Sequence, residues 1–268
     1  MCAARQNTGG MYSEEIPQES IDAVGGLLRA AERVVVFTGA GISTESGIPD
    51  FRGPSGLWTK NPLAERTSTL SHYLGDPEVR KLAWEGRERN FDGSKEPNAG
   101  HHAIVEIQRM GKLAAVVTQN VDGLHQDSGI DDDKVVEVHG TLKFGRCWEC
   151  NDRRPMAEFI ARVRAGDPDP HCELCGGIVK SDAILFEQAL VPEVIDRALR
   201  EAEECDLLLA VGSSLGVRPA NGVVPRARAT GSKVVIINGQ NTEMDHFADH
   251  LLLGSITPAL QRIIAAAR

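Results

Sequence analysis

Residues 34–53 read VVVFTGAGISTESGIPDFRG, and the change of character within them decides the fold. The first four residues are β-branched or aromatic and predict a strand that is buried on both faces. Gly39 and Gly41 follow at once, and glycine allows backbone N–H groups to approach a phosphate closely. The stretch therefore predicts a nucleotide site at the carboxyl end of a buried strand.

Further short apolar runs predict the other strands of the sheet. They are continuous and rich in Val, Ile and Leu, as strands covered on both faces should be. The runs are residues 113–118, 135–138, 183–186, 207–211, 234–237 and 251–253. Helical patterns alternate with them, for example residues 103–110, residues 192–202 and a first helix capped by Ser20. This alternation predicts an α/β fold with a doubly wound, Rossmann-like parallel sheet.

Two stretches interrupt the alternation. Residues 54–100 are rich in Pro, Gly and charge, and we expect a helical and loop insertion there; residues 141–180 carry paired cysteines and form a second insertion. Together they should build one smaller domain. The predicted division is a flexible tail over residues 1–19, a Rossmann-like domain over 20–53, 101–140 and 181–268, and the insertions 54–100 and 141–180.

Charge and hydropathy exclude several kinds of partner. The chain has 29 basic and 38 acidic residues, so its formal charge of −9 offers no general attraction to nucleic acid or to an anionic membrane. A basic partner, such as a lysine-bearing protein, fits better. We expect no membrane span, because no apolar run approaches about 20 residues. The first 20 residues lack a secretory pattern and include Glu14 and Glu15, so we expect an intracellular, cytoplasmic protein.

Four of the six cysteines are paired at short spacing. Cys147 and Cys150 form one Cys-x-x-Cys pair, and Cys172 and Cys175 form another, in the manner of a zinc ribbon. Free thiols are the alternative reading. Four thiolates leave no open coordination position, so the expected zinc is structural and any chemistry must come from elsewhere. The unpaired cysteines of the tail and of residue 205 are expected to be inert.

Hydrogen-bonding residues or glycines follow nearly every predicted strand. In open parallel sheets, ligands bind beyond the carboxyl ends of the strands, although turns favour the same residue types. His139 comes directly after an apolar run and before Gly140. An imidazole at this edge could accept a proton at neutral pH, and the alternative is a structural role.

The glycine loop departs from the usual dinucleotide fingerprint. The third glycine position holds Thr44, and no acidic residue falls on a following strand at the usual distance of about 20 residues. A routine hydride-transfer dehydrogenase is therefore disfavoured.

The combination of motifs resembles the sirtuins, the NAD-dependent protein lysine deacylases. The resemblance spans about residues 20 to 265 and rests on motifs that occur in the family's order. These are GAGISTESGIPDFR from Gly39, TQNVDGLH from Thr118, VHG from Val138, the two Cys-x-x-Cys pairs, GSS from Gly212 and VIIN from Val235.

The resemblance implies roles for individual residues. His139 would be the general base, and Asn120 would also act in catalysis. The diphosphate would lie on the backbone of residues 39–43, Phe51 and Arg52 would belong to a mobile loop over the nicotinamide ribose, and Asp122 would accept a hydrogen bond from the carboxamide. The implied NAD contacts are Gly39, Ala40, Gly41, Ser43, Ile48, Asp50, Phe51, Arg52, Gln119, Asn120, Asp122, Gly212, Ser213, Ser214, Asn238, Gly239, Ser255 and Ile256.

The resemblance also implies the reaction. NAD would be consumed as a co-substrate, and the acyl group, most simply acetyl, would leave a protein lysine as O-acyl-ADP-ribose with release of nicotinamide. His139 would take a proton from a ribose hydroxyl. Two alternatives stay open: mono-ADP-ribosyl transfer to a protein, and a non-catalytic NAD-sensing zinc protein.

One departure from the family bears on the substrate. Many sirtuins have Phe-Gly-Glu in the strand that pairs with the substrate backbone, whereas this chain has Phe186, Glu187 and Gln188. The loss of glycine adds a side chain beside the peptide groove. The Tyr and Arg of the desuccinylating branch would fall near residues 84–89, where Arg87 and Arg89 occur without a Tyr in register, so no succinyl preference is predicted.

Overall fold

The computed structural model describes residues 15–50, 62–91 and 93–268, and its centre is a six-stranded parallel sheet. The strands are β1 (Val34–Thr38), β2 (Leu113–Thr118), β3 (Val135–Glu137), β7 (Leu207–Val211), β8 (Lys233–Asn238) and β9 (His250–Leu253). Their order in the sheet is β3-β2-β1-β7-β8-β9. The doubly wound parallel sheet predicted from the sequence is confirmed.

Alternate side chains of β1 enter two different hydrophobic layers. Val34 and Val36 pack in one layer with three helices, α1 (Gln18–Ala30), α5 (Ala99–Arg109) and α10 (Ile256–Ala267). Val35 and Phe37 pack in the other layer, with α8 (Pro192–Glu204) and α9 (Val223–Ala229). Because successive side chains of a strand point to opposite faces, an unbroken apolar run is what this sandwiched sheet requires.

The order in which the chain adds strands to the sheet changes direction beside β1. From β1 the chain adds β2 and β3 on one side and later adds β7, β8 and β9 on the other. The carboxyl ends of β1 and β7 therefore border a crevice, the usual ligand position in such sheets.

A second, smaller unit stands beside the sheet. Its antiparallel strands have the order β5-β4-β6, with β4 (Phe144–Cys147), β5 (Arg153–Pro155) and β6 (Val179–Ser181). Four further helices are α2 (Pro62–Thr67), α3 (Leu70–Gly75), α4 (Pro77–Asn90) and α7 (Met156–Arg164). Trp84 of α4 is fully buried and packs with Phe159 of α7 at a ring-centroid distance of 5.9 Å. The two sequence insertions thus share one core.

Two predicted elements differ in the structure. The first helix begins at Gln18, before the predicted cap Ser20, because the carbonyl of Pro17 accepts the first hydrogen bonds from Ser20 and Ile21. The run 183–186 was expected to be a strand and is irregular, with one isolated bridge between Phe186 and Thr69. Its backbone bonds to His139, Ser68 and Leu70 rather than to a neighbouring strand, so two of its side chains are buried without a ladder of hydrogen bonds. In the described part of the chain, no helix is long and apolar enough to cross a membrane.

Candidate active site

The glycine loop packs directly against the end of β7. The Gly41 amide donates to the Gly212 carbonyl at 2.8 Å, and a Cβ on Gly41 would lie 2.8 Å from the Gly212 Cα. Gly212 has a φ of 63°, a left-handed conformation that favours glycine. The loop continues as a 3₁₀ turn, Ala40–Ser46. Glycines at these positions are therefore needed for the two strand ends to meet.

A chain of hydrogen bonds joins the glycine loop to the end of β2. The Asn120 side-chain amide donates to the Gly39 carbonyl at 3.2 Å and to Ser43 Oγ at 3.1 Å. Ser43 Oγ in turn donates to Asp122 Oδ2 at 2.8 Å. Burial raises the pKa of Asp122, although hydrogen bonds from Leu124 and Ser43 oppose that rise. Three predicted site residues thus form one polar cluster beyond the ends of two strands, in which Ser43 and Asn120 are buried and Asp122 is half-buried.

His139 is held in the form that a general base requires. Its Nδ1 lies 3.0 Å from the Gln119 carbonyl oxygen, and a carbonyl can only accept, so Nδ1 carries the proton and Nε2 carries the lone pair. Burial lowers the pKa of His139, which the hydrogen bond to Gln119 partly opposes. The imidazole is therefore neutral at pH 7. Gln119 also donates from Nε2 to Ser213 Oγ at 2.7 Å, which ties the base to the β7 end.

The remaining predicted contacts that the structure describes follow β7, β8, β9 and the 3₁₀ turn. Asn238 is buried, and its carbonyl accepts from the Gly254 amide at 2.9 Å, while Ser255 is the N-cap residue of α10. Ser214 and Gly239 are exposed. Ile48 and Asp50 follow the 3₁₀ turn, and Phe51 and Arg52 lie outside the described residues. Most predicted NAD contacts thus lie along one edge of the sheet.

The four paired cysteines converge in the smaller unit. Their Sγ atoms all lie within 4.8 Å of one another, with 3.5 Å between Cys147 and Cys175 and 3.6 Å between Cys150 and Cys172. A tetrahedral zinc with bonds of about 2.3 Å needs sulfurs about 3.8 Å apart, so the cluster fits the ion. Cys205 is buried at the end of α8 and takes no part, and Cys2 lies outside the described residues.

Comparison with known proteins identifies the family. A family model with the description "Sir2 family" matches residues 39–219 of this chain. A Streptomyces coelicolor protein named NAD-dependent protein deacetylase 2 is 43% identical over 232 residues, which cover 85% of this chain and 96% of that protein. This chain belongs to the Sir2 family.

Solved structures agree with that assignment. A Sir2 enzyme described in work on the mechanism and regulation of Sir2 enzymes aligns with a TM-score of 0.84 at 36% identity, covering 94% of this chain and 98% of that one. A Sir2 structure with a deacetylated p53 peptide and 3′-O-acetyl-ADP-ribose aligns with a TM-score of 0.82 at 27% identity, covering 91% and 97%. The glycine loop and strand order described above are therefore those of a Sir2 fold.

A buried histidine pair behind the site was missed by the sequence analysis. His125 Nε2 lies 2.9 Å from Thr38 Oγ1, and Thr38 Oγ1 donates to Thr118 Oγ1 at 2.8 Å. The His125 ring, on the short helix α6 (Leu124–Asp127), lies beside that of His101 at a centroid distance of 5.0 Å, with the ring planes tilted by 57°. His101 Nδ1 accepts from the Asn98 amide at 3.3 Å. Two threonines that directly end neighbouring strands were the available signal. Through His125, the pair is hydrogen-bonded to the end of β1, which borders the crevice.

Arg87 has a structural role in the smaller unit. Its guanidinium lies over the rings of Trp84 and Tyr73, at 5.0 and 5.5 Å from their centroids, and donates to Ser181 Oγ at 3.2 Å. Trp84 is fully buried, whereas Arg89 is exposed. Arg87 therefore joins α3, α4 and β6 within the smaller unit.

Proposed function

We propose that this Sir2 protein is an NAD-dependent protein lysine deacetylase that consumes NAD and releases nicotinamide and O-acetyl-ADP-ribose. The observation that carries the proposal is the state of His139: Nδ1 is fixed by the Gln119 carbonyl, so the basic Nε2 is available at the edge of the crevice. A protein that only senses NAD has no need of a positioned base.

NAD fits the residues at the crevice. The close approach of Gly41 to Gly212 leaves a loop of small residues and a 3₁₀ turn that can hold the diphosphate. Asn120, Ser43 and Asp122 offer amide, hydroxyl and carboxylate groups for the nicotinamide ribose and carboxamide. Gly212, Ser213, Asn238 and the start of α10 are the proposed adenosine contacts.

The proposed reaction assigns His139 to one proton transfer. The acyl-lysine carbonyl oxygen bonds to the ribose carbon as the bond to nicotinamide breaks, and nicotinamide leaves with the electron pair. His139 Nε2 then takes the proton of a ribose hydroxyl, whose oxygen attacks the former carbonyl carbon. Addition of water and loss of the lysine amine complete the transfer. A neutral imidazole suits this step because the lone pair on Nε2 is available to accept the proton.

The cytoplasm is the proposed compartment. Four thiols that lie at zinc-ligand distances, rather than in disulfide pairs, are typical of a reducing environment. Zinc would hold the smaller unit together and would leave the reaction to the crevice.

One experiment tests the function. The protein is incubated with NAD and an acetyl-lysine peptide, and mass spectrometry follows nicotinamide, O-acetyl-ADP-ribose and any label on protein. We expect equal amounts of the first two, and a loss of turnover of about 10²- to 10⁴-fold in His139→Ala. The exposed His102→Ala is the matched control. Label on protein without deacetylated peptide would indicate mono-ADP-ribosyl transfer instead.

A further inference from the structure

A groove runs along the irregular segment that leads away from the base. The Ile184 amide donates to the His139 carbonyl at 2.7 Å, and two residues further on Phe186 bonds through its backbone to Ser68 and Leu70. The groove has a volume of about 510 Å³, and its lining residues are Glu65, Arg66, Thr69, His72, Phe186 and Glu187. The backbone therefore leads from the residue that carries the base to a wall of the groove.

Glu187 is unusual in both backbone and side chain. Its φ of 71° is left-handed, a conformation that favours glycine, and the sirtuin pattern has glycine here. Its Oε2 accepts from the Ser71 amide, in the first turn of α3, at 3.1 Å. Hydrogen bonds from the Ser71 hydroxyl and from the Ser71 amide lower the pKa of Glu187, so the side chain is an anion at neutral pH. The carboxylate is thus fixed at the groove while the residue itself remains exposed.

The charges of the groove favour a cation. Glu65 and Glu187 supply two carboxylates, and the guanidinium of Arg66 already lies 3.6 Å from the carboxylate of Asp76, which balances its charge. Phe186, with 43% of its surface exposed, adds an apolar wall. A long basic side chain can pack its stem on such a wall and place its charged head beside a carboxylate.

We propose that Glu187 is a specificity-determining residue that makes this groove select acyl-lysine peptides carrying Arg or Lys close to the modified lysine. The inference rests on the proposed function, because it takes the groove as part of the peptide path. It goes further by naming the sequence context of the substrate and the residue that reads it.

Glu187→Gln is the variant that separates charge from structure. Glutamine keeps the size of the side chain and an oxygen that can accept from the Ser71 amide, so only the negative charge is lost. Glu158→Gln is the matched control, because Glu158 is an exposed carboxylate on α7 that does not line the groove.

The test uses fluorescent acetyl-lysine peptides that differ by Arg, Ala or Glu at each of the two positions on either side of the acetyl-lysine. We expect the wild-type protein to bind the Arg peptide about two- to fivefold more tightly than the Ala peptide at one or more positions, and the Glu peptide more weakly, as for an exposed ion pair. The preference should shrink at about 1 M salt, where the Debye length falls to about 3 Å.

Glu187→Gln should abolish the preference, and Glu158→Gln should keep it. Equal affinity for the Arg and Ala peptides in the wild-type protein, or a preference that survives Glu187→Gln, would overturn the inference. Turnover of the Ala peptide is measured in the same samples. Failure of that turnover contradicts the proposed deacetylase activity, whereas the affinity ratio decides the role of Glu187.

Discussion

The crevice and the cysteine cluster are held together by different kinds of interaction. The crevice joins residues that are far apart in the sequence, such as Gly41 and Gly212, through backbone contact and several modest hydrogen bonds. The cysteine cluster joins four residues within one short insertion through thiols placed for a single metal ion. The first arrangement leaves polar groups free to act on a ligand, and the second uses every ligand position for stability. The comparison predicts different responses to mutation.

Loss of one cysteine should have the largest effect on structure. In Cys172→Ala we expect loss of bound zinc and unfolding of the β4–β6 unit, because structural zinc sites supply about 10 kcal/mol or more of apparent binding free energy. Zinc content and limited proteolysis of residues 141–180 measure the effect. Cys205→Ala is the control and should retain one zinc per chain. A Cys172→Ala protein with full zinc content and an unchanged melting temperature would contradict the structural role.

Gly212→Ala should produce the next largest effect, at the crevice. The added Cβ would lie 2.6 Å from the Ile42 amide nitrogen, and the left-handed φ adds a second cost. We expect a loss of about 3 kcal/mol in the free energy of unfolding, from overpacking and backbone strain together. Urea denaturation measures it. Gly26→Ala is the control, because a Cβ there meets nothing within 4 Å in helix α1, and we expect a gain of about 1 kcal/mol.

The same contrast explains what the sequence could predict. The cysteine spacing is local, so four ligands were identified without knowledge of the fold. The strand-end residues were also identified, because an apolar run followed by glycine or hydroxyl residues is a local pattern. Their pairing was not: that Asn120 bonds to Ser43, or that Gln119 bonds to both His139 and Ser213, depends on the strand order. The run 183–186 was misassigned because apolar burial between two units resembles a buried strand.

The histidine pair behind the crevice should make stability depend on acid. Burial lowers the pKa of His101 to about 4 and that of His125 to about 3, against 6.5 for the free side chain. Between pH 6.5 and 4 the unfolded chain binds protons that the folded chain does not, so the free energy of unfolding falls as the pH falls. The expected slope is up to about 1.4 kcal/mol per pH unit for each histidine.

Urea denaturation across this pH range checks the slope. His101→Gln should make the dependence shallower, even though it also lowers stability at pH 7. His246→Gln, at an exposed position outside this pair, should leave the slope as it is. A wild-type slope that His101→Gln does not change would show that other groups carry the acid sensitivity.

The smallest expected effect is a shift in the acid limb of the pH–rate profile. Burial holds the pKa of His139 below 6.5, and the hydrogen bond to the Gln119 carbonyl limits how far it falls. Protonation removes the base, so kcat/KM should decline as the pH falls, with a midpoint below 6.5 in the free enzyme. A midpoint above 6.5 would mean that a charged His139 is stabilised there, against the burial that the crevice imposes. The cysteine cluster contributes no titrating group to the reaction. The acid limb of the profile should therefore be the same in the zinc-saturated protein before and after more zinc is added.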